Sequence, residues 1–222
     1  MSHFVNHFEE NYLKELYKLG QKEIKKVNNI ALAKAMELNP ATVLEMVRKL
    51  TEKKLVALQP DKSIALTEKG RKKALMIVRK HRLWEVFLVN KLHYKWSEVH
   101  QLAEQLEHID SEDLVNRLEE FLEFPAFDPH GDPIPDKNGK IKKNSSIALS
   151  TASKDKTYLV QSFADTADSF LDYLAALNIQ PGTKIKIVDQ LQYDNSFTLN
   201  INKKNVQVSQ KVASNILVQP AT

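Results

Sequence analysis

The segment that most constrains the fold is NNIALAKAMELNPATVLEMVRKL, residues 28–50, because it holds two short helical patterns with almost no chain between them. Ile30, Leu32, Ala33 and Met36 recur at helical spacing in the first, and Val43, Met46, Val47 and Leu50 do so in the second. Between them Asn39 is a good N-cap, and Pro40 suits the first helical position, where its missing N–H forfeits no bond. Two short amphipathic helices across a tight polar junction predict a helix-turn-helix. The next stretch, LVALQPDKSIALTEKG, alternates as two strand pieces, 55–58 and 63–66, about the turn residues Pro60, Asp61 and Lys62. A hairpin in that place is the wing of a winged helix.

The flanking segments extend this frame. Tyr12, Leu13, Leu16, Tyr17 and Leu19 mark a first helix that Gly20 ends, and Thr67 caps a long helix whose WEVFLV core is apolar on every side and therefore buried. A further helix is predicted over 95–108, and another over 111–124 with Ser111 as N-cap and Leu114, Val115, Leu118, Phe121 and Leu122 as a broad stripe. So much apolar surface on consecutive helices predicts a homodimer. FPAFDPHGDPIP reads as a proline-rich loop, and 135–156 as a polar linker. A helix over 167–177 and short strands at 184–188, 197–201, 206–208 and 216–218 then read as a small barrel.

The expected fold class is therefore mainly α with small β parts. Its expected domains are a winged helix-turn-helix over 1–74, a helical domain over 75–136, a linker over 137–156 and a small β-barrel over 157–222.

Charge supplies the first functional restriction. Residues 1–80 carry +8, residues 81–136 carry −9 and residues 137–222 carry +5. A basic module followed by an acidic one suggests a polyanion partner for the first and cations for the second. No cysteine is present, which leaves only nitrogen and oxygen as metal ligands. No apolar run approaches the ~18 residues of a membrane span, and MSHFVNHFEENYL lacks the layout of a signal peptide, so a cytoplasmic protein is expected.

If Val43, Met46, Val47 and Leu50 face inward, then Asn39, Ala41, Thr42, Glu45, Arg48 and Lys49 face outward, where a major groove would meet them. Ala41 and Thr42 suit thymine methyls, Glu45 a cytosine amino group, and Arg48 and Lys49 guanine or phosphate. Lys53, Lys54 and Lys62 are natural contacts to the DNA backbone.

The acidic segment holds the other constellation, HQLAEQLEH. At about 100° per residue, His100, Glu104, Glu107 and His108 fall within an arc of roughly 100°, opposite Val99, Leu102, Ala103, Leu106 and Ile109. Imidazole and carboxylate at such spacing can converge on one divalent ion. His81 and Glu85 form an i, i+4 pair on the buried helix, where a carboxylate needs a partner, and DPHGD adds Asp128 and His130. Taken singly, each pair is also what an ordinary surface ion pair looks like. His3, His7 and His93 read as structural or solvated.

Two rival readings follow from the same residues. E-x-x-E-H approaches the inverted zinc-hydrolase signature, but Glu104 stands where the first histidine should be. The other rival is a winged-helix regulator independent of metal.

ALAKAMELNPATVLEMVRKL, RKHRLWEVFLV, HQLAEQLEH and FPAFDPHGDPIP together resemble the diphtheria-toxin-repressor family of metal-dependent transcription regulators. The tail is similar to that family's SH3-like domain, related to the ferrous-iron-transport A domain. The resemblance implies a homodimeric repressor of metal-uptake genes that binds a double-stranded operator when loaded with Mn(II) or Fe(II). It implies two metal sites per subunit, no membrane partner, no small organic substrate and no enzymatic activity. One site would comprise His81, Glu104, Glu107, His108 and Asn11 of the first helix. The other would use Glu85 and His100 with Asp128, His130 and an acidic residue near Asp165 or Asp168, as in the streptococcal manganese regulators. Glu104 stands where iron-responsive members have cysteine, which places the chain nearer the manganese-sensing branch. Asn11 replaces the family's aspartate or methionine, with Glu10 as a possible substitute, and Asp128 stands where streptococcal relatives have cysteine.

Overall fold

The computed structural model describes residues 2–21, 26–96, 98–142 and 145–221, with side chains from residue 7 onward. The side chain of His3 and residues 143–144 of the expected linker lie outside that set. The chain forms two compact units: residues 1–81, 104–112 and 135–141 in one, and residues 82–103, 113–134 and 142–222 in the other.

In the first unit α1 (Ser2–Gln21), α2 (Asn29–Ala35) and α3 (Pro40–Glu52) are followed by the hairpin β1 (Val56–Leu58) and β2 (Ile64–Leu66) and the start of α4 (Glu68–Asn90). Asn39 caps α3 by accepting the Ala41 N–H at 2.8 Å, and Asn28 caps α2 by accepting that of Ala31 at 2.9 Å. Val43, Val47 and Leu50 are buried with Leu13, Leu16, Leu32, Leu55 and Ile64, so the recognition unit turns its opposite face outward. Thr67 accepts the Gly70 N–H at 3.0 Å, as a cap should. A Cβ on Gly70 would lie 1.9 Å from the Leu55 carbonyl oxygen, so only glycine lets α4 pass the hairpin this closely.

The expected helix over 95–108 is shorter. α5 spans His100–Leu106, and Glu107 and His108 lie in the turn after it. Ile109, expected on the apolar side, is exposed. Periodicity alone could not show this end, because the residues that leave the helix carry on its spacing.

In the second unit α6 (Glu112–Phe121) buries Val115 and Leu118 against Leu83 and Val86 of α4 and against Leu122 and Ile134. Its other side leaves Leu114 and Phe121 exposed, Phe121 by 59%. The remaining elements are β3 (Ile147–Ala148), β4 (Thr157–Phe163), α7 (Asp168–Ala176), β5 (Lys184–Gln190), β6 (Phe197–Ile201), β7 (Lys204–Val208), α8 (Gln210–Asn215) and β8 (Ile216–Pro220). The strands pair antiparallel in the order β3-β8-β4-β5-β6-β7, with irregularities at 160/162 and 187/189 that bend the sheet. Its core holds Tyr158, Val160, Phe163, Ile185, Ile187, Phe197 and Leu199.

Three features were not expected, the first being α8 between the last two strands. β4 has no counterpart in the predicted strands, and β3 pairs with β8 inside the stretch read as linker, where Leu149 is buried. No helix of the described residues is long and apolar enough to cross a membrane.

Candidate metal centres

The first centre lies in the first unit, between α1, the end of α4's first half and the turn after α5. Glu107 is its hub and is 0% exposed. One carboxylate oxygen lies 2.6 Å from His81 Nδ1, and the other accepts from Lys14 Nζ at 2.5 Å. The same ammonium donates to Glu104 Oε2 at 2.7 Å. His108 Nδ1 lies 2.8 Å from Glu10 Oε2, its Nε2 lies 3.8 Å from Glu107 Oε1, and the His7 ring stacks on it at 4.4 Å. His7, read as solvated or structural, thus packs on an expected ligand.

Burial pushes the Glu104 carboxyl up, but the adjacent Lys14 ammonium, with His81 and Lys18 behind it, more than offsets this and holds it at about 2. Glu104 is therefore a carboxylate at neutral pH.

Asn11, the neutral replacement in the expected set, has its side-chain oxygen buried without a hydrogen-bond partner in the described structure. It stands one turn before Lys14 on α1, hence on the same side of the helix. A buried carbonyl oxygen without a donor costs free energy that a cation would remove. Together with a carboxylate pair that already holds a buried cationic group, this fits a hard or borderline divalent ion with N/O ligands.

The second centre lies in the second unit. Glu85, Asp128 and His130 are all buried, and each offers a ligand atom within 4.8 Å of the others. The DPHGD loop builds it by a local turn: Asp128 Oδ1 accepts the backbone N–H of His130 at 2.8 Å and of Asp132 at 3.0 Å. Gly131 makes that turn possible at φ +86°, and a Cβ there would fall 1.7 Å from the Gln161 carbonyl oxygen of β4. The loop is thus seated directly on the sheet. Arg82 clamps it from α4, donating to Pro133 O at 2.6 Å and Asp132 Oδ2 at 3.0 Å, with Nε 3.4 Å from Asp128 Oδ2.

His130 Nε2 donates to the Trp96 carbonyl oxygen at 2.8 Å, which directs Nδ1 toward Glu85 Oε1 at 3.7 Å and Asp128 Oδ1 at 4.0 Å. That is the arrangement of a ligating histidine oriented by an outer hydrogen bond. Burial pulls its pKa down, but the Glu85 carboxylate, aided by Asp128 and Trp96, raises it to about 9. Asp128 is pushed up to about 7 by burial and by the Glu85 and Asp132 charges, against the pull of Arg82 and His130. His100 Nδ1 stands 3.4 Å from Glu85 Oε1, at the rim of this group.

The two acidic candidates of the last domain lie elsewhere. Asp165 accepts the Ala167 N–H at 3.0 Å ahead of α7, and Asp168 faces a polar cleft with Lys95, Glu98, Gln101 and Asp172. Neither is part of the close group formed by Glu85, Asp128 and His130.

Asn39, Ala41, Thr42, Glu45, Arg48, Lys49, Lys53, Lys54 and Lys62 are all exposed. Four are already engaged: Asn39 caps its helix, Glu45 and Lys49 pair with each other at 2.8 Å, and Lys53 pairs with the buried Glu9 of α1.

Lys14 and Arg82 were missed by the sequence reading. A lysine on a helix otherwise reads as solvated. Its only signal is that Glu10, Asn11 and Lys14 share a face of α1.

Three family models match in order: the iron-dependent repressor N-terminal DNA-binding domain over 4–64, the iron-dependent repressor metal-binding and dimerisation domain over 67–136, and the FeoA domain over 147–220. The iron-dependent repressor IdeR of Mycobacterium tuberculosis is 36% identical over 126 residues, 57% of this chain and 54% of that protein. This chain thus aligns with about half the length of the mycobacterial relatives. The diphtheria toxin repressor of Corynebacterium diphtheriae is 29% identical over 95% of this chain and 96% of its own. Among solved structures, a manganese-dependent transcriptional repressor in complex with manganese is 32% identical with a TM-score of 0.87, covering 96% of this chain and 100% of that one. The ordered domain matches and this end-to-end likeness show that the chain belongs to the diphtheria-toxin-repressor family of metal-dependent regulators, in the form that carries a C-terminal FeoA domain.

Proposed function

We propose that this protein is a metal-activated DNA-binding repressor that senses Mn(II) or Fe(II) and controls metal-homeostasis genes from the cytoplasm as a homodimer. The observation that carries the reading is the double role of α1. Its Glu10 and Lys14 are bound into the first centre, while the neighbouring Glu9 holds Lys53 just beyond the recognition helix. A change in the centre therefore has a direct mechanical route to the DNA-contacting face.

In this reading residues 1–74 bind the operator, 75–136 bind metal and dimerise, and 157–222 form the SH3-like domain. His81, Glu104, Glu107 and His108, with Asn11 and Glu10 from α1, hold the first ion. Glu85, Asp128 and His130 hold the second, with His100 at its edge and an acidic residue near Asp165 or Asp168 completing the set. A bound divalent ion supplies the positive charge that gathers these carboxylates and imidazoles. Glu104, ionised, and Glu107 would offer it carboxylate oxygens, and Trp96 keeps His130 turned so that Nδ1 points toward Glu85 and Asp128. The exposed Leu114 and Phe121 of α6 suit burial against a second copy. Ala41, Thr42 and Arg48 read bases, and Lys54 and Lys62 meet phosphates.

The N/O donor set, with Glu104 in place of a cysteine, favours manganese or iron over softer ions. The hydrolase alternative is set aside because the segments over 4–64 and 67–136, which carry nearly all the expected ligands, match iron-dependent repressor domains. To move the DNA-competent form from mostly absent to mostly present, metal must favour it by about 3–5 kcal/mol. The test is to select a binding sequence from random duplex DNA with Mn(II) present. Its affinity is then titrated against Mn(II), Fe(II) and Zn(II), with Glu104→Ala alongside. Metal-dependent binding that Glu104→Ala weakens is expected; equal affinity in chelator and in metal overturns the reading.

A further inference from the structure

The group that most closely governs the first centre is Lys14, which no expected ligand set contains. Lys14 is 3% exposed, with its ammonium 2.7 Å from Glu104 Oε2 and 2.5 Å from Glu107 Oε1. Those are the two carboxylates that a metal at this centre would need. An oxygen that accepts a charged hydrogen bond at that distance cannot also bind a cation on the same lone pair. Two positive charges sharing this space would also repel strongly in a buried setting. The other Glu107 oxygen is also engaged, by His81 Nδ1 at 2.6 Å.

We propose that Lys14 is a tethered competitor: it neutralises Glu104 and Glu107 in the metal-free protein, and divalent metal binds only by expelling its ammonium. This rests on the reading of the first centre as a metal site. Lysine suits the task because its charge is a point on a flexible four-carbon stem that can swing outward while the stem stays packed. Glu104 has a side chain 32% exposed, so the exit lies on its side rather than past the sealed Glu107. Lys14 therefore sets the metal concentration at which the centre fills. Because it sits on the helix that carries Glu9 and its ion pair with Lys53, its departure also alters the element that supports the recognition helix.

An ordinary structural ion pair predicts something different, so the two roles separate by sign. Removing a purely structural lysine loosens the site and weakens both fold and metal affinity. Removing a competitor weakens the metal-free fold but tightens metal binding. The experiment uses the full chain with Asp128→Ala to silence the second centre, and measures free Mn(II) by electron paramagnetic resonance during titration. Lys14→Met is expected to bind Mn(II) about tenfold tighter or more, the scale on which a contacting charge moves a binding equilibrium. Its melting temperature should fall in chelator and recover in saturating Mn(II). Lys14→Arg, which keeps the charge, should bind no tighter than the parent. If Lys14→Met does not fold in chelator, Lys14→Gln is read with the same expectation. Unchanged or weaker Mn(II) binding in a folded Lys14→Met or Lys14→Gln protein overturns the inference, as does tightening in Lys14→Arg equal to that in Lys14→Met. Binding to no variant and not to the parent overturns the reading of the centre itself, and this inference with it.

Discussion

The two centres use the same kinds of side chain and are closed in opposite ways. In the first, the balancing positive charge belongs to Lys14, a side chain on another helix with a flexible stem. In the second, order comes from the backbone: the Asp128 turn, the glycine seated on β4, the Arg82 clamp and the His130 bond to Trp96. A centre balanced by a mobile charge can change state when that charge is displaced. A centre braced by the backbone holds its shape whether or not it is loaded. In the proposed repressor, switching falls to the first centre and bracing of the loop on the sheet to the second.

The largest effect that could break this contrast comes from Glu107→Ala. It leaves Lys14 and His81 buried without their shared acceptor, which should cost about 3–5 kcal/mol, the range for removing one partner of a buried pair. Urea unfolding in chelator measures it. A loss under about 1 kcal/mol, as for an exposed pair, would mean that the cluster is not the buried hub described here.

Gly131→Ala should act on the second centre alone. The added methyl meets the Gln161 carbonyl at 1.7 Å and the backbone is held at φ +86°, so the loop must shift, at a cost of about 1–3 kcal/mol. Calorimetric titration with Mn(II) should lose one class of binding and retain the other. Loss of both classes would show that the centres are not separately built.

The smallest expected effect is the pH response, which should appear at opposite ends of the scale. His130 is raised from 6.5 to about 9, so its contribution to stability is complete below pH 6.5 and fades as pH rises through about 9. Glu104 is lowered from 4.5 to about 2, so its contribution is present above pH 4.5 and fades as pH falls toward 2. Metal needs the His130 Nδ1 lone pair, so Mn(II) binding to the second centre near neutral pH should release a proton and strengthen with rising pH. Titrations in two buffers of different ionisation enthalpy would reveal that proton. Its absence would mean that His130 is already neutral and the electrostatic contrast is weaker than drawn.

Much of the fold was legible because local chemistry decides it. Asn39 followed by Pro40 starts α3 wherever that stretch is helical, Thr67 starts α4, and β6 occupies the residues 197–201 read from alternation. β4 escaped because the irregularity at 160/162 breaks its period, leaving Ser162 and Phe163 both buried. α5 was overextended because Glu107 and His108 keep helical spacing while tertiary contacts with Lys14, His81 and Glu10 hold them in the turn beyond it.

By itself the sequence determined the helix-turn-helix and wing, the absence of thiolate ligands, the segregation of charge and the residue types of both centres, since these depend on neighbours a few positions away. Only the tertiary structure decided that Glu10 meets His108, that Asp128 turns on its own loop beside Glu85 and His130, and that Lys14 closes the first centre. Lys14 and Glu107 are separated by 93 positions, and no local pattern signals that a lysine will be buried. Packing brings them together, and the cost of burying an unpaired charge then makes them partners.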